Sequence, residues 1–332
     1  MTAREADLQI DGDTHELLKL VRGSVGGEPV RLGEKGRCRF CGTENETKFR
    51  SVAHAVPEAL GNKWVVSLDE CDDCNALFSQ YEDSLAKTVG PILTIGGTLG
   101  KANKVRQTGR TKGPAFIKHD QSESGRRISM QMTGEFADHV GVDPANGTIS
   151  FKVPVAPERF IPRRAYKALA RMGLAMLPIE ELPNFQHLVT WVRDLDDQAP
   201  MPPLMVGLSF GSIGNAPRLV SAALLRRKPG ATTSAYMVFV VSAGSVCFQL
   251  DLKSDTHDGD WPPTHSVQAN ISWTNVIGAP GKSDIRIEYG KPVHLDWSSP
   301  RLELPPIEIV TTTVNPVTGH GTMQFKFREG AR

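Results

Sequence analysis

The sequence predicts an α+β protein: a small metal-stapled strand–loop–strand–helix unit near the N-terminus, followed by a larger mixed, β-rich domain. Three observations carry that prediction. Two CxxC pairs, Cys38/Cys41 and Cys71/Cys74, bracket 29 residues. A helical apolar repeat runs through Tyr166, Leu169, Ala170, Gly173, Leu174 and Leu177. From Pro200 onward, short apolar runs alternate with turn residues, the pattern of antiparallel strands. At about 150 residues per domain, a chain of 332 residues has room for two domains or three.

Residues 1–30 read as an N-terminal leader segment. Asp13 can cap a short helix that takes its apolar content from Leu17, Leu18, Leu20 and Val21. The stretch Met1 to Asp13 holds four acids and no apolar run, so no secretory signal is expected. Apolar stretches such as Met237 to Val241 fall far short of the ~20 residues of a membrane helix. Five cysteines, four of them in CxxC pairs, suggest a metal site in a reducing compartment, so the cytoplasm is the expected location and no membrane partner is expected. The fifth, Cys247, lies in an apolar run and is expected to be a buried strand residue.

Residues 31–90 form the cysteine module. Thiolates two residues apart can take adjacent corners of a zinc tetrahedron, and two such pairs close it. The expected ligands of a structural Zn²⁺ are therefore Cys38, Cys41, Cys71 and Cys74. Between the knuckles the pattern predicts a strand over Lys48–Ala53, a loop, and a second strand over Trp64–Leu68. A helix capped by Asp72 or Asp73 should follow and run to about Lys87.

Residues 91–125 are rich in Gly, Thr and Lys and read as a basic linker or strap. The net charge of +1 says nothing about partners, but Ser84 to His119 holds seven bases and no acid. Lys101, Lys104, Arg106, Arg110, Lys112 and Lys118 are the candidate phosphate contacts in this strap, the alternative being a solvated loop.

Residues 126–332 read as an α+β or β-rich accessory domain. Strands are expected over Arg127–Met132 and Thr148–Val155, with an Asn146-Gly147 turn between them. Pro162 should open a helix that Pro178 ends, and a second should lie within Pro183–Arg193. Arg163, Lys167 and Arg171 stack at i, i+4 and i+8, which predicts a solvent-facing edge or, less simply, a DNA contact. Strands are expected over Leu204–Phe210, Val220–Arg226, Tyr236–Val241, Val246–Leu250, Asp284–Tyr289 and Ile307–Val314. His257, Asp258, Asp260 and His265 read as a polar loop. The composition leaves room for a homo-oligomer and for a regulatory ligand or partner of this domain.

Over residues 36–88 the sequence resembles the four-cysteine branch of the HNH endonuclease superfamily. The matching stretches are Cys38 to Cys41, His54-Ala55-Val56-Pro57 with Leu60-Gly61-Asn62, and Leu68-Asp69-Glu70-Cys71-Asp72-Asp73-Cys74-Asn75. The resemblance implies a ββα-metal finger that hydrolyses DNA phosphodiester bonds with one divalent cation, Mg²⁺ or Mn²⁺. It makes His54 the general base, since a neutral imidazole accepts a proton from water near neutral pH. It makes Asn75 a holder of the cation, while Glu58 could orient the imidazole or support the metal. Two positions depart from the family: Ala53 stands where relatives carry an acid, and Asn62 is the nearest asparagine to the second strand. Asp69, Glu70, Asp72 and Asp73 are the nearer candidates to replace that acid, each reading first as a surface acid or a helix cap, and Glu82, about 10 Å along the helix from Asn75, is too far to share an ion with it. The alternative implied by Ala53 is a catalytically inactive zinc finger that serves as a nucleic-acid-binding or interaction module.

Overall fold

The computed structural model describes residues 8–10, 14–24, 27–109, 116–122, 125–131, 134–145, 148–152, 158–197, 204–211, 219–231, 233–259, 269–275, 285–298, 307–312 and 322–327. It is an α+β protein. The chain opens with strands β1 (Leu8–Ile10), β2 (His15–Ser24) and β3 (Val30–Leu32). The cysteine module follows with β4 (Ala53–His54), β5 (Val65–Ser67) and α1 (Asp72–Thr88), and then α2 (Gly90–Ile95). Strands β6 (Thr108–Gly109), β7 (Phe116–Ser122) and β8 (Gly125–Gln131) make a small sheet. Next come α3 (Phe136–His139), β9 (Val140–Asp143), β10 (Thr148–Lys152), α4 (Pro162–Met176) and α5 (Gln186–Arg193). The remainder is strand: β11 (Met205–Phe210), β12 (Leu219–Arg227), β13 (Met237–Ala243), β14 (Val246–Leu252), β15 (Ala269–Asn275), β16 (Ile285–Glu288), β17 (Val293–Asp296), β18 (Ile307–Thr312) and β19 (Thr322–Phe327).

The central sheet has six antiparallel strands in the order β17-β11-β14-β13-β12-β2. Its β13 and β14 are buried along nearly their whole length, and the pairing of Ala243 with Val246 closes them into a tight hairpin. Cys247 is buried in β14, as expected. The strand runs expected near 284–289 and 307–314 form, but in separate small sheets, β16 beside β15 and β18 between β10 and β19. The Asn146-Gly147 turn, Asp260 and His265 lie outside the described residues.

Three expectations are corrected. The helix expected after Asp13 is strand β2, which pairs along β12 from His15↔Arg227 to Ser24↔Leu219. A short apolar run such as Leu17 to Val21 suits either state, and the long partner strand decides it. The strand expected over Lys48–Ala53 shrinks to Ala53–His54. The backbone N–H groups of Arg50 and Ser51 instead donate to the Asp72 carboxylate at 3.3 and 2.8 Å, and Asn45 caps a 3-10 turn at Glu46–Lys48. Asp72 is thereby engaged outside its own helix, and α1 starts after Cys71 without a side-chain cap.

The third correction concerns α4. Pro162 sits in its first turn and Leu177 ends it, as the sequence predicts, but Arg163, Lys167 and Arg171 are buried rather than solvent-facing. Helix α4 packs on α1 on one side and on β14 on the other. A Cβ added at Gly173 would come within 2.7 Å of the Leu252 side chain, so glycine here sets the close approach of helix and sheet. The charges on α4 are met by partners. Arg163 donates to the Asp197 carbonyl at 2.8 Å, and Lys167 donates to the Asp194 carbonyl at 2.5 Å beneath the Trp191 ring.

Candidate metal centre and active site

The two knuckles come together at the start of α1. The Sγ atoms of Cys38 and Cys74 are 3.8 Å apart, and those of Cys41 and Cys71 are 3.6 Å apart. All four sulfurs lie within 4.8 Å of one another and could hold a metal ion. The thiols also report their crowding. The hydrogen bond with Cys74 pulls Cys38 down to about 4, burial pushes Cys71 up to about 11, and the contact with Cys38 raises Cys74. A bound cation removes that conflict by stabilising every thiolate at once.

Packing holds the knuckles in place. Phe40, between Cys38 and Cys41, meets Phe78 of α1 edge to face at 4.8 Å between ring centroids. Arg39 reaches out of the first knuckle and donates to the Leu174 and Leu177 carbonyls at the end of α4, at 2.6 and 3.1 Å. Its Nε and Nη2 bind Asp69 Oδ2 at 2.8 and 2.6 Å, and Ser67 donates to the other carboxylate oxygen at 3.0 Å. Removing one partner from a buried pair of this kind costs about 3–5 kcal/mol. Gly33 makes room for Asp69. Its φ is +69°, and a Cβ there would lie 2.1 Å from the carboxyl carbon.

His54 ends β4, where it is paired with Val66 of β5 and is half-buried. Neither ring nitrogen hydrogen-bonds to another described residue. Its pKa is lowered, first by burial; Glu58 acts in the opposite sense, and the Lys63 and Arg171 cations add to the lowering. Glu58 follows on the next turn and forms an ion pair with Lys63. Partial burial pushes the Glu58 carboxyl up, but Lys63 and His54 more than offset this, leaving it below its ordinary value. Asn75 sits in the first turn of α1, and its side-chain amide makes no hydrogen bond among the described residues.

The acids expected to replace the one absent at Ala53 are occupied. Asp69 binds Arg39 and Ser67, Asp72 caps the Arg50–Ser51 backbone, Asp73 binds Lys48 at 2.6 Å, and the buried Glu70 binds Arg171. Asn62 is likewise spent. Its side chain binds the Val56 and Val65 carbonyls and accepts from the Trp64 and Val65 N–H groups. Glu82 remains, a residue that sequence reasoning set aside. Its nearest partner is Arg171 Nη1 at 3.8 Å, and its side chain is 22% exposed. Burial drives its pKa up to about 7; Arg171 opposes the rise, while Glu70 and Glu58 add to it. The seven-residue step puts it on the same face of α1 as Asn75, and the same step, about 10 Å along the axis, is why sequence reasoning excluded it from Asn75's ion.

Among the strap residues, Lys101 and Lys104 are exposed. Arg106 is held by Asp83 and Glu158, and Lys118 pairs with Asp120 at 2.8 Å. Arg110 and Lys112 lie outside the described residues. His257 stacks on Tyr236 at 4.0 Å, and Asp258 binds Arg227 at 3.0 Å, so this polar pair is a structural latch. No described helix is long and apolar enough to cross a membrane.

No curated protein and no solved structure matches the chain. It is the segment from the first knuckle to the end of α1, residues 38–88, that matches the family model described as HNH endonuclease.

Proposed function

We propose that residues 38–88 are the catalytic head of a metal-dependent endonuclease that hydrolyses DNA phosphodiester bonds. The observation that carries this reading is the meeting of a family match with a half-buried, hydrogen-bond-free imidazole at the end of β4, near the Glu58 carboxylate. His54 acts as general base. Its lowered pKa keeps the ring neutral at pH 7, ready to take a proton from the attacking water. Glu58, ionised at neutral pH, makes no hydrogen bond to the ring and acts on it through charge, favouring the imidazolium that forms as the proton arrives. The cysteines suit a structural Zn²⁺. Sulfurs about 2.3 Å from zinc form a tetrahedron with edges of about 3.8 Å, close to the 3.8 and 3.6 Å separations here.

The catalytic cation would be Mg²⁺ or Mn²⁺, held by Asn75; Glu82, about 10 Å along α1, is too far to share that ion directly and would act on it through its water shell. An amide and a carboxylate suit a hard ion that keeps part of its water shell and shares the substrate phosphate. Among the described residues the four cysteines alone form a tight ligand group, so this second ion would be completed by DNA. When bound, it supplies charge stabilisation at the leaving 3′ oxygen. The four free thiols fit a reducing, cytoplasmic setting. A homo-oligomer, or a regulatory ligand of the β-rich body, remains compatible with this reading.

The test is plasmid cleavage over a series of Mg²⁺ and Mn²⁺ concentrations. Wild type should cut, and Glu82→Gln should need about 10–100-fold more cation. An unchanged cation requirement would remove Glu82 from the site. Absence of wild-type cleavage at every concentration would favour the inactive zinc-finger module instead.

A further inference from the structure

Helix α4 belongs to the body, yet one of its side chains ends inside the nuclease head. Arg171 is 1% exposed, and its guanidinium meets five separate groups. Nε and Nη2 bind Glu70 Oε2 at 3.0 and 2.5 Å. Nη1 donates to the backbone carbonyls of His54 and Ala55 at 2.6 and 3.1 Å. The same Nη1 stands 3.8 Å from Glu82, and the guanidinium lies over the Phe78 ring at 5.6 Å. The other oxygen of Glu70 has no hydrogen-bond partner; burial pushes this carboxyl up, and Arg171 opposes that rise.

We propose that Arg171 is a positioning residue of the nuclease centre, clamping the His54–Ala55 backbone to α1 and to the second knuckle. The inference rests on the nuclease reading above. Strand β4 is only two residues long and is held by β5 on one edge, so its ladder alone is a weak support for a general base. Arg171 supplies a second support through the His54 and Ala55 carbonyls. It does so with the planar fork of a guanidinium, which a lysine ammonium cannot reproduce because its donors radiate from one point. The active geometry thus depends on a residue, Arg171, more than eighty positions downstream of the matched segment.

The charged groups acting on His54 are Glu58, Lys63 and Arg171, with Glu70 and Glu82 acting on Arg171 and Lys101 on Glu58. Removing the Arg171 cation takes away one influence that lowers the imidazole pKa. That pKa should therefore rise when Arg171 becomes neutral and stay near its wild-type value when Arg171 becomes lysine.

The experiment compares full-length wild type, Arg171→Lys, Arg171→Met and His54→Ala. Zinc content and circular dichroism are checked first, then kcat and KM for plasmid cleavage, then NMR titration of His54 in histidine-labelled protein. Arg171→Lys should fold and keep zinc and the His54 titration midpoint, yet fall about 10²-fold in kcat with KM little changed, as expected for a displaced general base. Arg171→Met should also move the titration midpoint upward. If Arg171→Met fails to fold, Arg171→Lys still carries the kcat comparison. Wild-type kcat in folded Arg171→Lys would overturn the proposal. If wild type and His54→Ala are equally inert, the nuclease reading falls. In that case an unmoved His54 midpoint in Arg171→Met, or a midpoint moved by Arg171→Lys, would overturn the clamp as well.

Discussion

His54 and Asn75 stand out at the scale of single residues because neither side chain is satisfied by the protein. In a fold where Asn62 makes four hydrogen bonds, an amide and an imidazole left without any are available for a ligand. The pH dependence follows from the direction of the His54 shift. A general base works in its neutral form, and burial together with Lys63 and Arg171 holds this imidazole below its ordinary 6.5. Cleavage should therefore be insensitive to pH just above neutrality and fall on acidification with a midpoint below 6.5. The measurement is kcat/KM against pH at saturating cation. A midpoint above 6.5 would mean that the titrating group is not His54 in this environment. Lowering the pKa also weakens the base, so the site exchanges some proton affinity for a larger fraction of active enzyme at pH 7.

The elements divide into those legible in the sequence and those fixed from a distance. Helix α1 was legible because Cys74, Phe78, Tyr81 and Leu85 repeat at helical spacing and all are buried. The hairpin of β13 and β14 was legible because its apolar strands flank Ala243-Gly244-Ser245. The charged side of α4 was misleading. A stripe of Arg163, Lys167 and Arg171 is the usual mark of a solvated face, and what buries it lies in Asp197, Asp194 and Glu70, far along the chain. Local spacing carries no information about such partners. The strap before β7 can be tested as an element. Lys101 and Lys104 are exposed, whereas Arg106 is engaged with Asp83 and Glu158. Charge reversal at Lys101 and Lys104 should weaken binding to all duplexes alike and flatten the salt dependence by about one unit of slope for each phosphate no longer neutralised. A gel-shift series over salt measures it, and an unchanged slope would make the strap a passive loop.

At the scale of the whole molecule, one buried cluster among the described residues joins the head to the body. Cys38, Phe40 and Tyr81 of the head belong to the same buried cluster as Leu169 of α4 and Phe239 and Leu252 of the central sheet. Metal at the knuckles should then stabilise more than the head. Structural zinc contributes about 10–16 kcal/mol in isolated fingers, and removing it would undercut α1, on which α4 packs. Calorimetry should show one main transition that moves to lower temperature on chelation or with Cys38→Ser. A β-sheet transition that stays in place while the head alone melts would separate the two. The candidate site spans the same boundary. Its knuckles could be read from spacing and His54 from the family resemblance, but the contacts of Arg171 emerge only when α4 is seated against α1. The central claim is that this head cuts DNA with His54 as the base. Its most direct test is plasmid cleavage by purified wild type and His54→Ala, matched for zinc content and fold, in Mg²⁺ and Mn²⁺. The account predicts cleavage by wild type and a drop of about 10²–10⁴-fold in His54→Ala; equal cleavage by the two proteins would contradict it.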